Sequence, residues 1–378
     1  MSFDVAYVNP RTGVRWSAAE PQWRAPDDGG YLNLEPGSGV SRTGIDRDMR
    51  SLWRYASAIR LPHPAKVTLG EGWTPLLPVS WGGGTIHLKA EYLMPSGSFK
   101  DRGTAVMINY LEQVGVDRML EDSSGNAGAS IATYAAAAGL ECRILIPASA
   151  PAGKRIQIAA MGAEVVPVEG TRDDVAAQAL QEAETAFYAS HNWQAFFLEG
   201  TKTLAFELWE QLGFQAPDAV VVPLGNGSNV LGCHIGFSEL KELGEIDRLP
   251  RIYGVQAANC APFHATLASG GEDLVAIRPT TTLADGIASA KPIRVADTVR
   301  ALRESGGGTV AVSEPEIVDA FRRLARIGQF VEPTAAAGAA GLDRLLADGT
   351  ILRDERAVLV LTGTGLKASA AIGTMLGL

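Results

Sequence analysis

The sequence predicts an α/β fold of two domains, each a mostly parallel sheet flanked by helices, and three observations carry that expectation. At 378 residues the chain exceeds the usual size of one domain. Beyond residue 100, helical and strand patterns alternate along the chain. The strand segments read as continuous apolar runs, as strands buried on both faces of a parallel sheet require.

Apolar residues make up 46% and charged residues 20%, so an ordinary buried core is expected and broad disorder is not. The formal charge of −9 argues against a nucleic-acid partner, because phosphate binding needs a basic surface. The three cysteines, Cys142, Cys233 and Cys260, are far apart and odd in number, which speaks against a disulfide framework. No CxxC or HExxH spacing occurs and the histidines are scattered, so no metal site is expected. The opening "MSFDVAYVNPRTG" lacks a basic segment followed by an apolar run, and no apolar stretch reaches ~18 residues. The expectation is a cytoplasmic protein with no membrane partner.

Residues 1–50, rich in Pro, Gly, Trp and Asp, read as an irregular N-terminal extension. "RDMRSLWRYASAIRL" has helical spacing that Pro62 and Pro64 end. "TAVMINYLEQVG" puts Val106, Met107, Tyr110, Leu111 and Val114 on one helical stripe. "RMLEDSS" is a strand running into a turn, and "GASIATYAAAAG" a helix closing at Gly139. "CRILIP", "AEVVPVEG", "AVVVPL", "RIYGVQ" and "AVLVLT" read as strands. "AGKRIQIAAMG", "RDDVAAQALQEAETAF", "TLAFELWEQLG" and "NVLGCHIGFSEL" read as helices. The expected division is the extension at 1–50, a large domain at 51–100 plus 198–378, and a small α/β domain at 101–197.

Ligands of open parallel sheets bind beyond the carboxyl ends of strands, and three loops there have unusual chemistry. "SSGNAG" (123–128) opens a helix with Ser123, Ser124 and Asn126 as hydrogen-bonding side chains and Gly125 and Gly128 as open backbone. It suits a carboxylate, although Ser and Asn are also the usual helix caps. "GNGSN" (225–229) offers Gly225, Asn226, Gly227, Ser228 and Asn229 as a backbone nest for a phosphate; a ligand-free turn is the plainer reading. "LTGTG" (361–365) presents the Thr362 hydroxyl, or is a simple left-handed turn. Upstream, "SGSFKDRG" places Lys100 among small and polar residues where a helix should begin. A reactive lysine, a carboxylate turn, a phosphate nest and a hydroxyl are the set that a phosphorylated aldehyde bound as a Schiff base needs.

"GEGWTPLLP", "PSGSFKDRG", "SSGNAG", "LEGTKTLAFE", "GNGSN", "VEPTAAAGAAGL" and "LTGTGLK" follow one another over about four fifths of the chain. In this order they resemble the tryptophan synthase β-like, fold type II group of pyridoxal-phosphate enzymes, and within it the threonine synthase-like branch. The resemblance implies pyridoxal 5'-phosphate as cofactor, a small amino acid as substrate and a homodimer. It implies that Lys100 forms the Schiff base and moves the α-proton, that Phe99 packs beside the cofactor, and that Asn126 bonds the ring hydroxyl. Gly225 to Asn229 would hold the phosphate. Thr362 would face the pyridine nitrogen and, as a neutral hydroxyl, leave it unprotonated. Ser123, Ser124, Gly125 and Ala127 would form the substrate-carboxylate loop, with Asn192 and Phe197 beside the substrate. Asp101 and Arg102 would orient the turn, or simply cap and pair at the helix start.

Two departures stand out. Ala127 replaces the threonine usual in the branch, and Phe197 stands where a phosphate-binding arginine is expected. Both count against O-phosphohomoserine. The extension resembles a zinc ribbon that lacks its cysteines, so no zinc is expected. The implied activity is lyase-type β- or γ-elimination or replacement on a small amino acid. The alternatives are threonine synthase proper, a serine/threonine dehydratase, and a non-catalytic pyridoxal-phosphate-binding protein.

Overall fold

The computed structural model describes residues 3–148 and 152–378. The chain forms two compact units, one of Met1–Gly37, Ile45–Gly72 and Lys100–Thr201, the other of Ser38–Gly44, Trp73–Phe99 and Lys202–Leu378. The division differs from the expected one. The segments 1–37 and 45–72 share a unit with 100–201, and the change of unit falls at the peptide bond between Phe99 and Lys100.

In the first unit, four parallel strands lie in the order Glu164–Val168, Glu141–Pro147, Arg118–Glu121, Phe187–Tyr188. Helix Asn126–Ala138 follows the Arg118–Glu121 strand and ends where Gly139 takes up the left-handed conformation, φ 71°. Helix Lys100–Gln113 starts earlier than its apolar stripe suggests, and Asp101, Arg102 and Gly103 are already buried in its first turn. Helix Ala195–Thr201 lies against it so closely that a Cβ on Gly103 would sit 2.6 Å from the Phe197 ring. Further along the same pair of helices, Phe196 stacks on Tyr110 at 3.6 Å.

The N-terminal residues are more ordered than their composition suggests. Strands Ala6–Val8, Arg15–Ser17 and Asn33–Leu34 form a three-stranded antiparallel sheet. Its buried Tyr7 donates to the Tyr110 hydroxyl at 2.8 Å, and Tyr110 donates in turn to the Ala18 carbonyl at 2.9 Å. The helix expected over 47–61 is also corrected. Only a short 3-10 segment, Leu52–Ala58, forms there. Leu52 gives its N–H to the Glu71 carbonyl at 2.7 Å, and the four consecutive residues Leu52, Trp53, Arg54 and Tyr55 are buried, a pattern that does not follow one helical stripe.

The second unit holds a six-stranded sheet in the order Gly308–Val312, Arg251–Ala257, Ala219–Pro223, Ala357–Val360, Gly84–Lys89, Leu76–Trp81. All neighbours are parallel except the last pair. Val221 lies opposite both Tyr253 and Leu359, so Ala219–Pro223 is central and fully buried. The chain leaves this strand through helix Ser228–Glu242 toward Arg251–Ala257 on one side, while Ala357–Val360 pairs on the other. In open parallel sheets, ligands bind at the strands' carboxyl ends where such a reversal of direction occurs. Lys89, fully buried, is neutralised by Glu207 and donates to the Thr74 carbonyl at 2.7 Å. Breaking such a pair costs about 3–5 kcal/mol, which makes it a rigid anchor for the neighbouring strand ends.

Candidate active site

In the second unit, the nest loop and Thr362 emerge from the carboxyl ends of adjacent parallel strands, Ala219–Pro223 and Ala357–Val360. Gly227 caps helix Ser228–Glu242 in the left-handed region, φ 94°, with no side chain filling the helix's first amides. Asn226 accepts a hydrogen bond from the Ser289 hydroxyl at 2.8 Å, which fixes one wall of the loop. Asn229 is 3% exposed, yet neither its Oδ1 nor its Nδ2 has a partner among the described residues. Each orphaned buried polar group costs about 1–3 kcal/mol, so this arrangement calls for a ligand. Ser228 is buried beside it.

Thr362, 2% exposed, gives its hydroxyl proton to the Glu332 carboxylate at 3.3 Å, and its carbonyl accepts from the Phe99 amide at 2.9 Å. Glu332 lies so close to Gly363 that a Cβ there would meet the carboxylate at 2.5 Å. Nothing in the spacing of "VEPTAAAGAAGL" marks Glu332. The hydroxyl expected to be a simple neutral group is therefore held by an acid. Ser98 pairs with Gly363 across a bridge, so the loop carrying Phe99 is laced to the loop carrying Thr362.

In the first unit, "SSGNAG" leaves the carboxyl end of strand Arg118–Glu121, and residues 190–192 follow the adjacent strand Phe187–Tyr188. Ser123 is buried and its hydroxyl accepts from the Gly125 amide at 3.3 Å. Ser124, Gly125, Asn126 and Asn192 are half-buried and Ala127 is buried. Gly125 caps helix Asn126–Ala138 without a side-chain bond, leaving the first amides for an anion. Ser130 in this helix donates to Asp101 at 2.6 Å, which ties the loop's helix to the helix that begins at Lys100. Asp101 thus orients the helix start through a specific bond.

Lys100 is half-buried, with its Nζ 5.4 Å from the centre of the Phe197 ring. Phe197 is fully buried. His191 meets Phe197 edge-on at 5.7 Å, and Glu121 accepts from the His191 amide at 3.1 Å, with the imidazole Nδ1 also 3.1 Å from its other oxygen. Burial pushes the Glu121 carboxyl up to about 7, against the pull of the His191 amide and the charge of Lys100. Burial and the Glu121 charge raise Asp122 as well. His191 is driven well below its ordinary value by burial and then by Lys100, so its ring is neutral. Arg172, first residue of helix Arg172–Glu182, exerts its charge on Glu121, Asp122 and His191. Nothing in the spacing of the sequence marks Glu121 or Arg172.

The family described as pyridoxal-phosphate dependent enzyme matches residues 67–363. The chain belongs to this family. This pyridoxal-phosphate dependent enzyme is 39% identical to the threonine synthase of Methanocaldococcus jannaschii, covering 87% of this chain and 83% of the relative. It is also 39% identical to the threonine synthase of Mycobacterium bovis, covering 80% and 83%. The solved threonine deaminase of T.th. resembles it with a TM-score of 0.66 and 29% identity over 77% of this chain and 92% of the other. The processed form of threonine deaminase isoform 2 from Solanum lycopersicum gives a TM-score of 0.72 over 95% and 99%, at 23% identity, a likeness of fold alone.

The fold is therefore type II, the cofactor is pyridoxal phosphate, and the enzyme is a lyase of the threonine synthase-like group. The nest fits the cofactor's anionic tail. Helix amides are open at Gly227, and the unpaired Asn229 Nδ2 would find an acceptor in a phosphate oxygen. The three cysteines are buried and free. No helix among the described residues is long and apolar enough to cross a membrane.

Proposed function

We propose that Lys100 is the anchor for the cofactor's aldehyde and the group that carries the substrate's α-proton, in an elimination or replacement on a small amino acid whose leaving group is less anionic than phosphate. The observation that carries the choice of substrate is Phe197, fully buried against Gly103 beneath Lys100 where an arginine would be needed.

When bound, pyridoxal phosphate supplies an electron sink for the α-carbon. The chain's own residues do the rest. Gly225, Asn226, Gly227, Ser228 and Asn229 would hold the phosphate, Phe99 would flank the ring, Asn126 would take its hydroxyl and Thr362 would face its nitrogen. With its proton directed to Glu332, the Thr362 oxygen offers lone pairs, which would favour a protonated ring nitrogen over the unprotonated one expected of a free hydroxyl. The amides of Ser124, Gly125 and Ala127 and the Ser123 hydroxyl orient the substrate carboxylate, and Asn192 lies in the loop that follows the adjacent strand Phe187–Tyr188. By analogy with the family the working form is a homodimer in the cytoplasm.

Threonine synthase proper is the second reading. The 39% identity to threonine synthases favours it, and Arg172 is a cation whose field already reaches Glu121, Asp122 and His191. Assays with O-phosphohomoserine, threonine and serine separate the readings. The expected result is a 2-oxo acid or replacement product from a substrate without phosphate. Phosphate release with threonine formation would establish the second reading, and 2-oxobutyrate from threonine would narrow the first to a dehydratase. A visible band that no amino acid perturbs would point to a non-catalytic binder.

A further inference from the structure

We propose that Glu121, gripped by His191, is a positioning residue whose ionised carboxylate holds the proton on the Lys100 nitrogen and so sets the pH range in which that lysine works. The proposal rests on the reading of Lys100 as the cofactor's anchor.

The geometry is a continuous series of contacts. The Lys100 Nζ lies 5.4 Å from the Phe197 ring centre, Phe197 meets the His191 ring at 5.7 Å, and His191 holds both Glu121 oxygens at 3.1 Å. All but Lys100 are buried. The neutral His191 orients the carboxylate through N–H groups without cancelling its charge. Packing alone gives no reason for this acid. Two apolar side chains would fill the same volume without the desolvation cost that a buried charge carries.

The groups facing Glu121 come from every neighbouring element. They are Asp122 beyond its own strand, Cys142 on strand Glu141–Pro147, Tyr188 on strand Phe187–Tyr188, His191 in the following loop, Arg172 at a helix start and Lys100 at another. Two of these are cations, and Lys100 acts on Glu121 more strongly than Arg172 does. Because coupling between titrating groups is reciprocal, the carboxylate stabilises the protonated Lys100 nitrogen by as much as Lys100 stabilises the carboxylate. The sign follows. Ionised Glu121 raises the pKa of that nitrogen, and removing the charge lowers it.

The test is a pH titration of the visible absorption of the protein loaded with pyridoxal phosphate, alongside the pH profile of kcat/KM. In Glu121→Gln the spectral transition should move to lower pH by about one unit, and the alkaline limb of kcat/KM should move with it. Glu121→Asp, which keeps the charge, should restore at least half of the shift. His191→Phe keeps a ring against Phe197 but removes the Nδ1 donor, and should produce a smaller shift in the same direction. It carries the test if Glu121→Gln does not fold. A transition that stays in place in Glu121→Gln, or in His191→Phe where Glu121→Gln does not fold, overturns the proposal. A wild-type protein that develops no visible band would instead overturn the assignment of Lys100 as anchor, so the two failures are distinguishable.

Discussion

Replacing Lys100 with alanine is expected to lower kcat at least ~10³-fold while leaving the folded protein intact. Proton transfer by a positioned side chain contributes about 10²–10⁴-fold on its own, and loss of the covalent anchor adds to that. Stability should hardly change. Lys100 is the first residue of helix Lys100–Gln113, it is only half-buried, and alanine is the better helix former. Initial rates on the best substrate, the visible band and a thermal melt check this together. A variant that keeps more than about a tenth of wild-type kcat would remove Lys100 from the chemistry.

The second large effect is expected at Gly227. Its φ of 94° lies where a side chain is strained, and an added Cβ would stand 2.3 Å from the Thr298 hydroxyl. Thr298 is itself held by the Arg294 carbonyl at 2.8 Å and cannot swing away freely. Gly227→Ala should therefore push the nest out of shape, weakening cofactor affinity at least ~10-fold and costing about 1–2 kcal/mol of stability. Gly270→Ala is the matched control, since Gly270 has φ 79° but nothing within 4 Å of the added carbon. It should lose stability by ~1 kcal/mol and bind cofactor as the parent does. Titration of apoprotein with pyridoxal phosphate measures both. Equal cofactor affinity in the two variants would mean that the 225–229 loop does not carry the phosphate.

What was legible in the sequence was chemistry concentrated in short runs. Lys100, "SSGNAG", "GNGSN" and "LTGTG" are each local, each rich in Gly, Asn, Ser or Thr, and each follows or opens a periodic segment that formed as expected. The buried strands Ala219–Pro223 and Ala357–Val360 were legible for the same reason, because a run apolar on both faces has few other uses. Residues that matter through contacts distant in sequence were not. Glu121 and His191 are 70 positions apart, and Thr362 and Glu332 are 30 apart. No periodicity marks such pairs.

Other features had signals that went unused. Ser313 and Glu316 form a capping box ahead of helix Glu314–Arg326, and Gly82–Gly83 sits at the turn of the Leu76–Trp81 and Gly84–Lys89 hairpin. The helix read over 47–61 failed for a tertiary reason. Its first apolar residue in the 3-10 segment spends its amide on the Glu71 carbonyl, and the consecutive burial of Leu52, Trp53, Arg54 and Tyr55 overrides spacing.

The account turns on which nitrogen bears the cofactor. Borohydride reduction of the loaded enzyme, followed by digestion and mass spectrometry of the peptides, asks this directly. One pyridoxyl group is expected, on the peptide containing "SGSFKDRG" and at Lys100. A label on any other lysine, or a protein that takes up no label at all, would contradict it.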